Sequence, residues 1–361
     1  INSTTSYVYD PNSNLTSITD GENSTTSYVY DARNQLTQET YPDSGIRSYS
    51  YDAAGRKDVF TDQLLDTVTF TWDMANRLSS RAYPTDTDSF TYDDAGRMTQ
   101  AVSGRYSNTV AFTYDAASRL TQESLTTHGQ GYTVSHSYNT ENLRTQTTYP
   151  DSTLVTRTFT ARDQLASVGI TGATTSFAYD AGYRETSRTH SNNLVTTRSY
   201  GRGDNLVTAI TVAGKPGLGF TYSYDQNKNV TGETTGAPMA NYSFAAGYDA
   251  EDRLTSWSRT GGDTQSWNLS KVGDWASTTI NSVIDTRTHN AVHELTQQDS
   301  TVLSYDAKGN LTQDKAGRTF DWDYDNNLSS TTLGADTASY SYDALGRRVS
   351  KTAGGSTTVF V

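Results

Sequence analysis

The 361-residue chain has no cysteine. Disulfide scaffolds, cysteine nucleophiles and thiolate metal sites are therefore excluded. No run approaches the roughly 18 apolar residues of a membrane-spanning helix, so no membrane insertion by this segment is expected. No signal peptide is visible, and the chain starts within a repeat, which reads as a fragment of a longer protein, so the missing signal carries no information on targeting. Basic residues are in deficit: 28 Lys and Arg stand against 40 Asp and Glu, for a net charge of −12. Nucleic-acid binding depends on cations that neutralise phosphates, and anionic membranes attract basic segments, so neither partner is expected. The charges are scattered without blocks, which suits solubility. Hydrophobic residues are also few, at 34%. That level alone would suit a disordered chain. The 25 tyrosines, part of an aromatic fraction of 11%, argue otherwise, because aromatics on alternate positions bury large area on one sheet face.

What the chain does have is a repeat. Tyr-Asp or Trp-Asp pairs begin at Tyr9, Tyr30, Tyr51, Trp72, Tyr92, Tyr114, Tyr179, Tyr224, Tyr248, Tyr305, Trp322 and Tyr342. Degraded copies at Tyr138, Phe159, Tyr200, Leu269 and His289 fill the gaps. The mean spacing is about 21 residues, a period that marks a stacked-repeat architecture. Such an array is one quasi-one-dimensional body of any length, so residues 1–361 are expected to form a single array with no internal domain boundary.

One unit shows how the repeat folds. Ser48-Tyr49-Ser50-Tyr51 alternates with the strand period. Asp52 starts a turn, its carboxylate placed to accept backbone N–H groups two or three residues on. Gly55 supplies the positive φ of a hairpin loop, and the chain returns through Val59 and Phe60. Asn or Gly recurs at the same turn position (Asn34, Asn76, Gly96, Gly309, Gly346), followed by Leu or a similar residue (Leu36, Leu78, Met98, Leu311). One hairpin cannot bury its aromatic stripe, but hairpins side by side form apolar ladders, and sheet twist curls them. The fold expected is all-β: a spiralling antiparallel hairpin ribbon of about 17 repeats, with no helical segment. Loop-like inserts are expected at Thr126–Gly131, Gly214–Gly219 and Gly232–Pro238.

The pattern seen as YDDAGRMT from Tyr92 and YDALGRRVS from Tyr342 resembles the RHS/YD-repeat family, over essentially the whole chain. That family includes bacterial RHS and wall-associated polymorphic toxins, the cocoon subunits of Tc toxins and the teneurin adhesion receptors. The resemblance implies a ribbon that closes into a hollow β-shell, which in the toxins encloses a C-terminal toxic domain, plugged by a core with a self-cleaving aspartate site near an Asp-Pro-x-Gly motif. No such motif occurs here, so what is present looks like shell wall of a secreted or surface bacterial protein. Its implied partners are an enclosed polypeptide or neighbouring domains of its own chain.

Several constellations suggest chemistry. The repeat aspartates, often with Arg four residues on (Asp52 with Arg56, Asp93 with Arg97, Asp343 with Arg347), read as turn caps with exposed ion pairs rather than a row of ligand carboxylates. Asp321, Asp323 and Asp325 would share a face if they lay on a strand, but Asn326 and Thr332 stand where a calcium loop needs Gly and a carboxylate. His289 and His293 have a chelating i, i+4 spacing only on a helix, and Glu294 follows them instead of the His-Glu-x-x-His order of zinc peptidases. His136, Tyr138 and Arg144 fit a proton-abstracting lyase set or the ordinary aromatic stripe. No nucleophile elbow, P-loop or dinucleotide fingerprint appears. No catalytic residue, cofactor or metal ligand is assigned, and a structural, non-enzymatic role is expected. The alternatives are a module that binds glycans or a cell-surface partner through exposed aromatics, and a polysaccharide-degrading enzyme.

Overall fold

The computed structural model describes residues 3–361. The described chain is built from β-strands joined in sequence order, with 29 strands in one sheet and seven in a second. In the founding example, Ile46–Tyr51 pairs antiparallel with Lys57–Thr61, setting Tyr49 opposite Phe60 and Ser50 opposite Val59. The register then slips between Ser50 and Tyr51, so that Tyr51 faces Lys57. The same slip occurs at every intact and degraded repeat, from Tyr9 to Tyr342. A bulge of this kind sharpens twist locally, and here it does so once per hairpin.

Alternation separates two faces. Tyr49, Phe60 and Val68 follow one another across three strands on one face, and the Tyr49 and Phe60 rings stack at 5.4 Å. The opposite face carries hydroxyls that bridge strands, as in Thr91 to Thr99, Thr158 to Ser167 and Thr19 to Thr25. Cross-strand pairs of these types are the unit of sheet stability.

The turn after the aromatic is a five-residue loop. Asp52 N–H donates to the Arg56 carbonyl at 2.8 Å and Gly55 N–H to the Asp52 carbonyl at 2.9 Å. Asp52 Oδ1 accepts the N–H groups of Ala54 and Arg56. The carboxylate thus caps positions two and four residues on. The third N–H, expected as a partner from sequence, goes to the backbone instead. Gly55 has φ +82°, and Asn34, Asn76 and Asn326 hold the same left-handed position at 61–62°.

The opposite edge of the ribbon uses the same loop. Asp20–Ser24 and Asp62–Asp66 close with the same backbone bonds and the same carboxylate caps. Tyr41–Gly45 and Tyr149–Thr153 share the backbone form.

The inserts differ from expectation. Thr126–Gly131 is mostly strand: Leu120–Thr127 and Gln130–Tyr138 are simply longer than their counterparts. The segment Gly232–Pro238 begins as strand Val230–Thr235. Two single turns of 3-10 helix, Pro216–Leu218 and Ala240–Tyr242, interrupt the otherwise all-β chain where no helical turn was expected.

The chain groups into two compact units. One holds the residues up to Val134 with Ser270–Asp274 and Arg287–Val361; the other holds Ser135–Leu269 and Trp275–Thr286. The second unit is a run of hairpins with half-buried side chains, tied by local sets such as Phe244 against Trp257 at 6.2 Å and Glu185 between Arg188 and Arg198. The first unit contains all the fully buried hydrophobic residues described. Six of these eight form two clusters: Phe90 and Ala101 with Ala344, and Val110 and Leu125 with Val349. Both join early repeats to late ones. A hairpin ribbon alone half-buries its side chains, and within this unit burial is completed where late repeats lie on early ones.

Candidate functional site: the turn edge and the seam between early and late repeats

The aromatic that names each repeat has a defined partner. Tyr51 Oη donates to the carbonyl of Leu36, one repeat back, at 2.8 Å. Tyr92, Tyr114, Tyr179, Tyr200, Tyr224, Tyr248, Tyr305 and Tyr342 make the equivalent bond. Where the aromatic is Trp, the indole N–H substitutes, from Trp72 to Lys57 and from Trp322 to Leu311. The bond needs a ring with a donor at its far end, which Tyr and Trp supply and which Phe159 and Leu269, at the same position in degraded copies, do not.

The arginine extends the chain of contacts forward. Arg77 Nε donates to Asp73 Oδ2 at 2.7 Å. Its Nη1 reaches the carbonyl of Asp93 in the next repeat, and its guanidinium lies 4.7 Å from the centre of the Tyr92 ring. Arg97 does the same with Asp93, Asp115 and Tyr114. Arg184 repeats the pattern with Asp180 and Tyr200, and also bonds Asn205. The side chains are only about a quarter to a third exposed. The expected exposed ion pair is instead a ladder of partly buried, bridging arginines. The aspartates sit below their ordinary value: for Asp52 the Arg56 bond is the main cause, and for Asp73, Asp93 and Asp115 the backbone N–H of the arginine is.

In the first unit the turn edge of late repeats meets the opposite edge of early ones. Lys308 Nζ pairs with Asp62 Oδ2 at 2.9 Å, with the side chains only 3% and 4% exposed, and also donates to the Tyr324 carbonyl. Tyr83 Oη donates to Asp325 and Tyr106 Oη to Asp323. Arg105 bridges Asp86 and Asp323 and lies 4.5–4.7 Å from the Tyr324 and Tyr83 ring centres. Arg81 ties Asp88 to the carbonyl of Ala344. Asn108 donates to the Tyr342 carbonyl, and Arg347 pairs with Glu123.

Burial shapes the ionisation here. It raises the Tyr83 and Tyr106 hydroxyls, with the nearby Asp325 and Asp323 adding to the effect, so both remain protonated donors. Burial also raises Asp88, with the paired Arg81 opposing it. For Arg105 burial favours the neutral form, but Asp86 and Asp323 outweigh it and hold the cation. A cleft of about 380 Å³ opens beside the seam, lined in part by Arg105, Lys308, Asp323 and Tyr324. Its cations are already paired within the seam.

The residues singled out from sequence fall as follows. Asp321 lies within the strand Thr319–Trp322 and accepts Ser330 Oγ, whereas Asp323 and Asp325 belong to the following turn. The expected common face does not form, because the strand stops at Trp322. Among the described residues no group of three or more His, Asp or Glu is placed around a metal position. His289 ends the strand Val283–His289, and His293 takes the left-handed turn position at φ +66°, so strand and turn separate the two. Glu294 bonds Asn290, the residue in place of the repeat Asp. The register sets His136 opposite Thr147 and Tyr138 opposite Arg144, which are ordinary cross-strand positions of the repeat. Sequence reasoning missed Lys308, Arg105, Tyr83, Tyr106 and Arg81. Their signal was weak: Lys308 is a turn residue, and Arg81 and Arg105 lie in strand and turn positions the consensus leaves open.

The sequence pattern and this geometry agree with known families. A teneurin YD-shell family model matches residues 44–180 and 173–360, and an RHS repeat model matches residues 9–46. The chain belongs to the teneurin YD-shell family. No curated protein sequence matches this YD-shell chain. Among solved structures it is similar to TcdB2-TccC3 without its hypervariable C-terminal region, with a TM-score of 0.85 and 15% identity over 97% of this chain and 22% of that one. TcdB2-TccC3 itself aligns with a TM-score of 0.78 and 15% identity over 96% of this chain and 24% of the other. The Photorhabdus luminescens Tc holotoxin pore aligns with a TM-score of 0.54 and 13% identity, covering 96% and 25%. The YD-shell chain therefore spans a quarter or less of the length of these structures, and at such identities the likeness is one of fold.

Proposed function

We propose that this chain is a single repeat array forming a wall segment of a YD-shell, which encloses or presents a polypeptide of the secreted or surface bacterial protein to which it belongs. The role is structural rather than enzymatic. The observation that carries this reading is the seam. Late repeats dock on early ones through buried ion pairs and the only fully buried apolar clusters described. A ribbon joined to itself makes a continuous wall, and that is what containment requires. The charged groups of the seam are engaged with one another rather than directed at a ligand. The fold-level likeness to TcdB2-TccC3 supports the reading.

The test is protease protection on the full-length protein carrying this array. A polypeptide outside residues 1–361 should resist digestion while the wall is intact and become sensitive when the seam is broken by Lys308→Ala. If every other segment is digested at the same rate with the seam intact and broken, the wall does not enclose cargo.

A further inference from the structure

In the first unit one histidine joins three turns. His293 Nδ1 lies 2.8 Å from Asp274 Oδ2 and Nε2 lies 2.7 Å from Asp20 Oδ2. The partners are 19 and 273 residues away along the chain. A carboxylate only accepts, so both ring nitrogens must donate, and only the protonated imidazole has two N–H groups. The two aspartates are held in place by their own turns. Asp20 Oδ1 caps the N–H groups of Glu22 and Ser24, which leaves Oδ2 for the imidazole. The Asp274 carbonyl accepts the Ser270 N–H that closes the Ser270–Asp274 turn. The early turn also touches the Ser270–Asp274 turn directly. Lys271 N–H donates to Glu22 Oε1 at 2.9 Å, and a Cβ built on Gly21 would stand 3.2 Å from Lys271 Cβ.

We infer that His293 is a pH-sensitive latch, clamping the Asp20–Ser24 turn to the turns at Ser270–Asp274 and Asn290–Glu294 when protonated and releasing it when neutral. The ionisable groups around the latch favour the proton. Asp20 and Glu22 come from the early turn, Asp274 and Lys271 from the second, and Glu294 from the histidine's own turn. The next turn carries Lys308, which is committed to Asp62. Four carboxylates thus face one lysine. Burial opposes the imidazolium, but the bonds to Asp274 and Asp20 outweigh it and raise His293 above its ordinary 6.5. Burial likewise opposes ionised Asp20, yet the Ser24 N–H and His293 hold it below 3.8. A raised folded value means that the latch contributes fully below 6.5 and is lost as pH rises through the higher value. The contact is an acid lock and an alkaline release, and it stands whether or not the wall encloses cargo.

The test uses the 361-residue chain. Imidazole resonances are titrated by NMR, with His293 assigned by its loss in His293→Asn, a residue that tolerates the left-handed turn. Hydrogen exchange of the Glu22 and Ser24 amides is followed in parallel, corrected for intrinsic pH dependence, across about pH 5 to 8 where histidine changes charge. His293 should titrate above 6.5, and protection of both amides should fall several-fold through the same range. In His293→Asn the protection should stay flat at the lower level. Asp274→Asn should lower the His293 midpoint. A wild-type midpoint at or below 6.5, a midpoint unmoved by Asp274→Asn, or the same loss of protection persisting in His293→Asn would each overturn the latch.

Discussion

The hydroxyl of Tyr51 is bonded to the carbonyl of Leu36, fifteen residues earlier and one repeat behind. The tyrosine that defines a repeat therefore acts on the repeat before it, and the family signature is a clasp between neighbours rather than a feature of one hairpin.

Tyr51→Phe keeps the ring and removes the donor. The lost bond should cost about 1 kcal/mol, the usual net worth of an intramolecular hydrogen bond. Tyr51→Trp should cost less, because Trp72 and Trp322 make the same bond through the indole. Urea denaturation of the two variants checks the order. Equal destabilisation would show that ring size, and not the donor, matters at this position.

Lys308 and Asp62 form an almost wholly buried pair. Lys308→Met strands an unpaired carboxylate and should destabilise by about 3–5 kcal/mol, whereas the double variant with Asp62→Asn should recover most of that loss. Asparagine keeps an oxygen for the Leu64 and Asp66 N–H groups that Asp62 caps. A double-mutant cycle on thermal unfolding gives the coupling, and additivity of the two changes would rule out the pairing.

Leu65 holds φ +66° and is 80% exposed. A branched apolar side chain there is strained and covers little surface. Leu65→Gly should raise stability by about 1 kcal/mol, the size of the left-handed penalty for residues with a Cβ. A lower unfolding midpoint would instead assign Leu65 a packing role.

The capping aspartates Asp52, Asp73, Asp93, Asp115, Asp180 and Asp249 all lie below their ordinary 3.8. A depressed folded value gives stability that is complete above 3.8 and lost as pH falls through the lower folded values. Unfolding followed by circular dichroism should show a plateau above that point and a progressive loss below it. Replacing one aspartate by asparagine should shrink the acid-sensitive part. A loss that begins well above 3.8 would point to other groups.

Much of this was legible in the sequence because it is local and repeated. Alternation at Tyr49 and Tyr51 marked the strands, and Asn34, Asn76 and Gly55 marked the left-handed turn. The bulge at each aromatic was not visible, since an extra residue such as Asp58 looks like any other in a single copy. The opposite edge was missed because its turn residues vary: Asp20 and Asp62 start the same loop as Tyr41 and Tyr149, so no single side chain marks it. The seam was hidden for another reason. Arg105 and Asp323 are joined in space but 218 positions apart in the chain; Asp323 reads in sequence as one more repeat aspartate, and Arg105 lies outside the repeat pattern that sequence reading follows.

That long separation lets the chain count. The seam partners Tyr106 and Asp323, Asn108 and Tyr342, and Arg81 and Ala344 stand 217, 234 and 263 positions apart. Losing or gaining one whole repeat between them would bring an ordinary turn, lacking Lys308 or Asp325, against the early edge. Single hairpins can drift in sequence, but the number of hairpins between the two halves of the seam is heritable as one unit. Lineages of this protein should lengthen beyond the seam and keep a constant count within it.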